Sequence, residues 1–302
     1  MKQLKLALDW TPNINHIGFF IAQEKGFYAD LDLDVTIVSP ANDDYQITPA
    51  KKVELGDADF AICPTESIIS YRTKSSPFPL IAIAAVLQSD LSAIVTKKDV
   101  GINSPKDLDG KIYASYEARY EDGIVKELIK NDGGQGDLNI TYPKKLGIWD
   151  NLLSGEADAT WIFTNWEGVE AKKAGIDLNY FHLKDYDIPY SYSPVIAANG
   201  DLISEKKAEY SAFLEATKKG FLYCNENPTD AINILKQHLV ESDRDFDLAS
   251  ALEETTPHFG NDASWGIIKD NVVSDFMVWL KQRNLEQSGI TPAEIFTNEC
   301  LN

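Results

Sequence analysis

The chain has 302 residues, 44% of them hydrophobic and 25% charged, with 47 Asp and Glu against 28 Lys and Arg, for a formal net charge of −19. That size accommodates two lobes with a substantial core, and the acidic excess sets aside nucleic acid and anionic membrane surfaces as partners. There is no run of about 18 apolar residues, so no direct membrane insertion is expected, and the widely spaced Cys63, Cys224 and Cys300 match neither a disulfide framework nor a zinc site.

Residues 3–8 place Leu4, Leu6 and Leu8 on one face at period two, which predicts a half-buried strand. The N-terminus thus enters a strand directly, without the segments of a secretory leader. The expected location is cytoplasmic if Met1 is native, and periplasmic or cell-surface if a leader was removed. The turn after the strand, Asp9-Trp10-Thr11-Pro12-Asn13-Ile14-Asn15-His16, leads into a short helix over 17–26 stopped by Gly26. Residues 33–38 read as a second strand, 48–55 as a helix and 57–62 as a short buried strand. This strand ends in Cys63-Pro64-Thr65-Glu66-Ser67 before the helical stretch at 68–71, and 80–87 is β-rich. The order βαβαβαβ predicts a parallel or mixed sheet covered by helices.

The character changes near Ser89. Residues 93–96 and 111–115 read as strands with one helical turn between them, and a helix opens at Tyr116-Glu117-Ala118-Arg119-Tyr120 and runs to about Asn131. The Gly133–Gly136 cluster lacks the Lys-Ser/Thr of a phosphate-binding loop and does not follow a strand. A helix at 148–153 precedes a strand at 157–163, and Gly155-Glu156-Ala157-Asp158 echoes Gly56-Asp57-Ala58-Asp59. The next turn carries Asn165, read as an N-cap, with Trp166 and Glu167 at the helix mouth. Residues 178–183 form a strand, and Tyr190 lies in the stretch that runs on to a last strand at 195–198. Helices follow at 205–224, 228–238, 245–254 and 269–283. Crossings near Ser89 and Ser193 give one lobe of residues 1–88 plus 196–302 and another of 89–195, with the small-molecule site expected in a cleft between them.

Ligands of open α/β sheets bind at the carboxyl ends of strands, beside helix N-termini. The four strand-to-helix turns supply Asp9, Trp10, Asn13 and His16, then Glu66, then Tyr116, Glu117 and Arg119, then Asn165, Trp166 and Glu167. Acids outnumber bases there, which disfavours a bare anion such as a sulfonate or nitrate. The aromatic rings favour a flat ligand, and a flat heterocycle bearing amino groups supplies the donors that carboxylate and amide oxygens need. Taken singly, each residue also fits a structural part: an acid at a helix start is a common cap, and a histidine there commonly packs.

Three segments, Asp9-Trp10-Thr11-Pro12-Asn13 with His16, Ala22-Gln23-Glu24-Lys25-Gly26-Phe27-Tyr28, and Asn165-Trp166-Glu167-Gly168, resemble the thiamine-pyrimidine group of the SsuA/THI5-like (NMT1/THI5) family over roughly residues 3–200. The resemblance implies a type II periplasmic-binding-protein fold, two α/β lobes with a hinge and a ligand cleft. It also implies capture of a thiamine pyrimidine precursor, of the hydroxymethylpyrimidine or formylaminopyrimidine type, for an ABC permease. Fungal members are instead synthases that bind pyridoxal phosphate, consume one of their own histidines and carry a CCCFC run. That run is missing here, with no cysteine between Tyr190 and Asn199. The turn that carries the fungal lysine and histidine reads Cys63-Pro64-Thr65-Glu66-Ser67.

The expectation is therefore a binding protein with no catalytic residue, cofactor or metal. Its ligand-binding residues are Asp9, Trp10, Asn13, His16, Glu66, Tyr116, Asn165, Trp166, Glu167 and Tyr190. Trp10 and either Tyr116 or Trp166 would sandwich the ring, Glu167 with Asp9 or Asn13 would accept from its amino group, and His16 would complete the polar rim. The alternatives are a THI5-like pyrimidine biosynthesis enzyme and a binder of another flat heterocycle such as a flavin precursor.

Overall fold

The computed structural model describes residues 1–144 and 147–301; residues 145, 146 and 302, which the expected lobes include, lie outside the described residues. In chain order the strands and α-helices begin with β1 (Lys2–Ala7), α1 (Ile17–Glu24), β2 (Leu33–Val38), α2 (Pro49–Leu55), β3 (Phe60–Cys63), α3 (Thr65–Thr73) and β4 (Leu80–Ala85). There follow β5 (Ser92–Lys97), β6 (Ile112–Ala114), α4 (Glu121–Asn131), β7 (Asn139–Thr141), α5 (Ile148–Ser154), β8 (Ala159–Phe163), α6 (Val169–Lys173) and β9 (Leu178–Phe181). The chain closes with β10 (Val195–Asn199), α7 (Ile203–Glu226), α8 (Pro228–Lys236), α9 (Leu248–Thr255), α10 (Asp270–Gln282) and α11 (Pro292–Ile295).

These elements form two α/β units. The first comprises Met1–Asp90, Ser191–Ser274 and Ser288–Asn302, and the second Leu91–Tyr190 and Asp275–Gln287. The sequence reading kept residues 275–287 in the first lobe, but they pack within the second unit. There the Phe276 ring meets Tyr190 at 5.3 Å, Arg283 pairs with Glu127 at 2.9 Å, and Glu286 accepts hydrogen bonds from Arg119 (2.7 Å) and Tyr120 (2.5 Å).

In the first unit the sheet order is β2-β1-β3-β10-β4, with β1 parallel to β2 and β3, and β10 antiparallel to both β3 and β4. Strand β4 is buried along its whole length, and its outer edge is covered by bridges from Ala82 to Phe296 and from Ala85 to Gly266. Helix α7 packs Phe213 and Tyr210 onto Phe60 of β3, with ring centroids at 4.1 and 4.7 Å. Helices α1 and α7 approach so closely that a Cβ on Gly220 would lie 2.0 Å from the Gly18 carbonyl oxygen, and one on Gly18 would lie 2.2 Å from the Phe221 ring. Only glycine permits that backbone approach.

The second unit repeats the arrangement. Its sheet order is β7-β6-β8-β5-β9, with β6 parallel to β7 and β8, and β5 antiparallel to β8 and β9. The echo seen in the sequence is a shared joint. Gly56 and Gly155 end α2 and α5 with φ of 77° and 82°, a left-handed conformation that suits glycine. The following Asp59 then accepts from the Lys5 amide at 3.0 Å, as Asp158 does from the Ile112 amide at 2.8 Å. Each carboxylate fastens the third-position strand of its sheet to the strand beside it.

Two local expectations are corrected. The helix expected to open at Tyr116 starts at Glu121, because the Glu121 carboxylate accepts from the backbone N–H groups of Tyr116 (3.0 Å) and Ala118 (3.2 Å) and holds residues 116–118 as a loop in which Glu117 has φ of 62°. Asn165 is not an N-cap. It is fully buried within a single π turn, Thr164–Gly168, and the Phe163 amide that opens this turn donates instead to Glu167 at 3.0 Å.

Candidate functional site

In the first unit β1 delivers the chain to Asp9, and the Leu8 amide still bonds to the Val38 carbonyl of β2 at 3.0 Å. From there the turn is closed by its own side chains. The Asn13 carboxamide oxygen accepts from the Asn15 amide at 2.9 Å, and His16 Nδ1 accepts from the Asn13 amide at 3.3 Å, a reciprocal cap on the short helix Ile14–His16. Asn13 Nδ2 also donates to the Thr11 carbonyl at 3.1 Å.

His16 Nε2 lies 2.8 Å from Asp9 Oδ1, and the His16 side chain is 1% exposed against 32% for Asp9. An Nδ1 that accepts fixes the hydrogen on Nε2, so the imidazole donates to the carboxylate; this tautomer is assigned from the hydrogen-bond network. Trp10 is half-buried and meets the Tyr45 ring edge-to-face at 5.3 Å. Asp9, Trp10, Asn13 and His16 thus come together as expected of one turn, with Asn13 and His16 occupied in holding it and Asp9 and Trp10 facing outward.

Glu66 is buried in the first turn of α3, and both the amide (3.0 Å) and the hydroxyl (2.8 Å) of its neighbour Thr65 donate to the Tyr192 carbonyl. Burial, reinforced by the nearby Asp9 and Glu66 carboxylates, pushes the Cys63 thiol well above its ordinary range. Both acids therefore lie close to the end of β3, and Cys63 stays a thiol there.

In the second unit Tyr116 is half-buried against Ala114, Ile148 and Ala157. Burial first, then the charges of Glu167 and Glu121, hold its phenol well above the usual tyrosine range, which sets Tyr116 beside Glu167. Trp166 is 7% exposed and belongs largely to the interior. Glu167 is half-buried, and the π turn that carries it is the kind of local irregularity often found at functional positions. Tyr190 is half-buried between Trp161 (5.2 Å) and Phe276 (5.3 Å).

Sequence reasoning did not single out Tyr45 and Trp161, whose rings meet the candidate residues Trp10 and Tyr190. Tyr45 sits in a polar segment with φ of 60°, where no periodicity marks an aromatic as buried. Trp161 lies within β8, yet its ring remains half-exposed beside Tyr190. The signal available was its place two residues before the end of the strand that leads into the Asn165 turn. Among the described residues, no group of three or more His, Cys, Asp or Glu side chains is placed to hold a metal ion.

Two five-stranded mixed sheets, each flanked by helices, define the fold of periplasmic binding proteins. The alkanesulfonate-binding protein SsuA from Xanthomonas axonopodis, solved with MOPS bound, superposes with a TM-score of 0.73 at 12% identity over 98% of both chains. The chain belongs to the NMT1/THI5-like family, whose profile matches residues 13–231. It is 28% identical to the formylaminopyrimidine-binding protein of Halalkalibacterium halodurans, covering 93% of this chain and 87% of that one. It is also 24% identical to the 4-amino-5-hydroxymethyl-2-methylpyrimidine phosphate synthase of Legionella pneumophila, covering 78% and 73%. The relatives therefore include both binding proteins and synthases.

Proposed function

We propose that this protein is an extracytoplasmic solute-binding protein that captures a thiamine pyrimidine precursor, of the formylaminopyrimidine or hydroxymethylpyrimidine type, and presents it to an ABC permease. The observation that carries the reading is the Asp9 carboxylate, held by His16 and partly open to solvent next to the indole of Trp10. An ionised carboxylate only accepts hydrogen bonds, so the ligand edge it meets must donate. An aminopyrimidine supplies that edge together with a flat face for an aromatic ring. The name of the Halalkalibacterium relative and the family membership support the same ligand class.

In the second unit Glu167 is the corresponding acceptor, and Tyr116, more accessible than Trp166, is the ring partner. Tyr190 in the second unit and Glu66 in the first are the further candidates, with Asn13 and His16 supporting the turn of the first unit from its interior and Asn165 that of the second. Binding is favoured over synthesis because the turn after β3 offers a thiol kept protonated and a carboxylate, Cys63 and Glu66, and no amine to capture an aldehyde cofactor.

Calorimetric titration with formylaminopyrimidine tests the reading. Asp9→Asn and Glu167→Gln are each expected to weaken binding by about 10- to 100-fold, the scale of a lost hydrogen bond to a charged group, and Trp10→Ala by about 10-fold. Unchanged affinity in all three variants would remove the proposed site.

A further inference from the structure

We infer that His16 is a positioning residue that sets which hydrogen-bonding edge the ligand must present, without touching the ligand itself. The inference rests on the functional reading above and goes beyond it, because it locates ligand selectivity in a residue enclosed by protein. The His16 ring is 1% exposed, and both of its nitrogens are engaged, Nδ1 by the Asn13 amide at 3.3 Å and Nε2 by Asp9 Oδ1 at 2.8 Å. The imidazole therefore has no edge to offer a ligand.

It has two separable effects on the turn. Through Nδ1 it closes the cap that shapes residues 13–16. Through Nε2–H it occupies Oδ1 of Asp9, which restrains the carboxylate rotamer and leaves Oδ2 as the acceptor this 32%-exposed side chain has to offer. A carboxylate free to rotate or to exchange its oxygens with water would bind a donor edge less well and discriminate less sharply against an edge that accepts. Asp9 held by His16 presents a fixed acceptor, so a 4-aminopyrimidine is taken in preference to its 4-oxo counterpart. The close packing of Gly18 against Gly220 anchors the helix that His16 leads into, so the ring is carried by a rigid element.

Two substitutions divide the two effects. In His16→Asn the side-chain oxygen takes the place of Nδ1 and keeps the cap, but the side chain is too short to reach Asp9. In His16→Gln the amide nitrogen takes the place of Nε2 and keeps the donor to Asp9, while the cap is lost. The experiment measures affinity for formylaminopyrimidine, affinity for its 4-oxo analogue and thermal midpoint in both variants, with Asp9→Asn alongside.

His16→Asn is expected to lose affinity for the amino ligand by about 10-fold or more and to lose most of the amino-over-oxo preference. His16→Gln should retain affinity within about 3-fold and keep the preference, although its thermal midpoint falls further than that of His16→Asn. If both variants lose affinity in step with their thermal midpoints, or if His16→Asn keeps the full preference while Asp9→Asn loses it, His16 merely folds the turn and the inference fails with the functional reading intact. A wild-type protein that binds the two pyrimidines equally overturns this inference and leaves the functional reading standing, whereas one that binds neither overturns both.

Discussion

Glu121 and Asp9 use the same chemical group for different ends. Glu121 is 3% exposed and takes three donors, the Tyr113 hydroxyl at 2.8 Å and the amides of Tyr116 and Ala118 at 3.0 and 3.2 Å. Burial raises its carboxyl above the usual range, and those hydrogen bonds pull it back. Replacing Glu121 by Gln turns one acceptor into a donor facing donors, so chemical denaturation should show a loss of about 1–3 kcal/mol. Asp9 instead has one oxygen held and its side chain 32% exposed, which leaves it available for a ligand. The sequence marked Asp9 as a member of a strand-to-helix turn, with the Asp9-Trp10 pair legible as a candidate wall, and left Glu121 inside the helix expected from Tyr116. It did not separate the acid that folds a loop from the acid that faces outward, because that depends on which backbone N–H groups converge on each oxygen. For the same reason His16 was read as rim, although both of its nitrogens are turned inward.

At the level of elements, the strands and most of the helices were readable from period and punctuation. Strand β1, helix α2 and the C-terminal helices α7 to α10 lie within a few residues of their expected positions. What escaped was set by contacts distant in sequence or by a departure from regular geometry. The three-residue strand β7 exists through its parallel pairing with β6, and nothing in three residues of local sequence announces it. The Asn165 turn reads as an ordinary helix start, and only the structure shows it as a π turn opened by Glu167.

The α1–α7 contact is equally silent in the sequence, since Gly18 and Gly220 are far apart in the chain. It yields a direct expectation. Gly220→Ala would force a methyl to within 2.0 Å of the Gly18 carbonyl oxygen. The helices must separate, at an expected cost of about 2–3 kcal/mol in unfolding free energy. A helix-surface alanine elsewhere on α7, at Lys219, should be close to neutral in the same urea titration.

For the whole molecule, the chain divides into units after Asp90 and Tyr190, and residues 275–287, which the sequence reading kept with the first lobe, belong to the second unit. Helix α10 reads as one uninterrupted amphipathic segment, so its division between units follows from what Phe276 and Arg283 meet, and not from any break in pattern. The fold is shared with an alkanesulfonate-binding protein, and a fold does not determine its ligand. The discrimination falls to charge and to the strand ends. A formal net charge of −19 opposes the approach of small anions, and the candidate turns repeat that sign within each unit, through Asp9 and Glu66 in the first and Glu167 in the second.

The most direct test is a tryptophan-fluorescence titration of the intact protein with formylaminopyrimidine, run beside methanesulfonate and nitrate under the same conditions. The account predicts saturable quenching or enhancement with the pyrimidine, through Trp10, and no saturable change with either anion. Saturation by an anion with no response to the pyrimidine would contradict it.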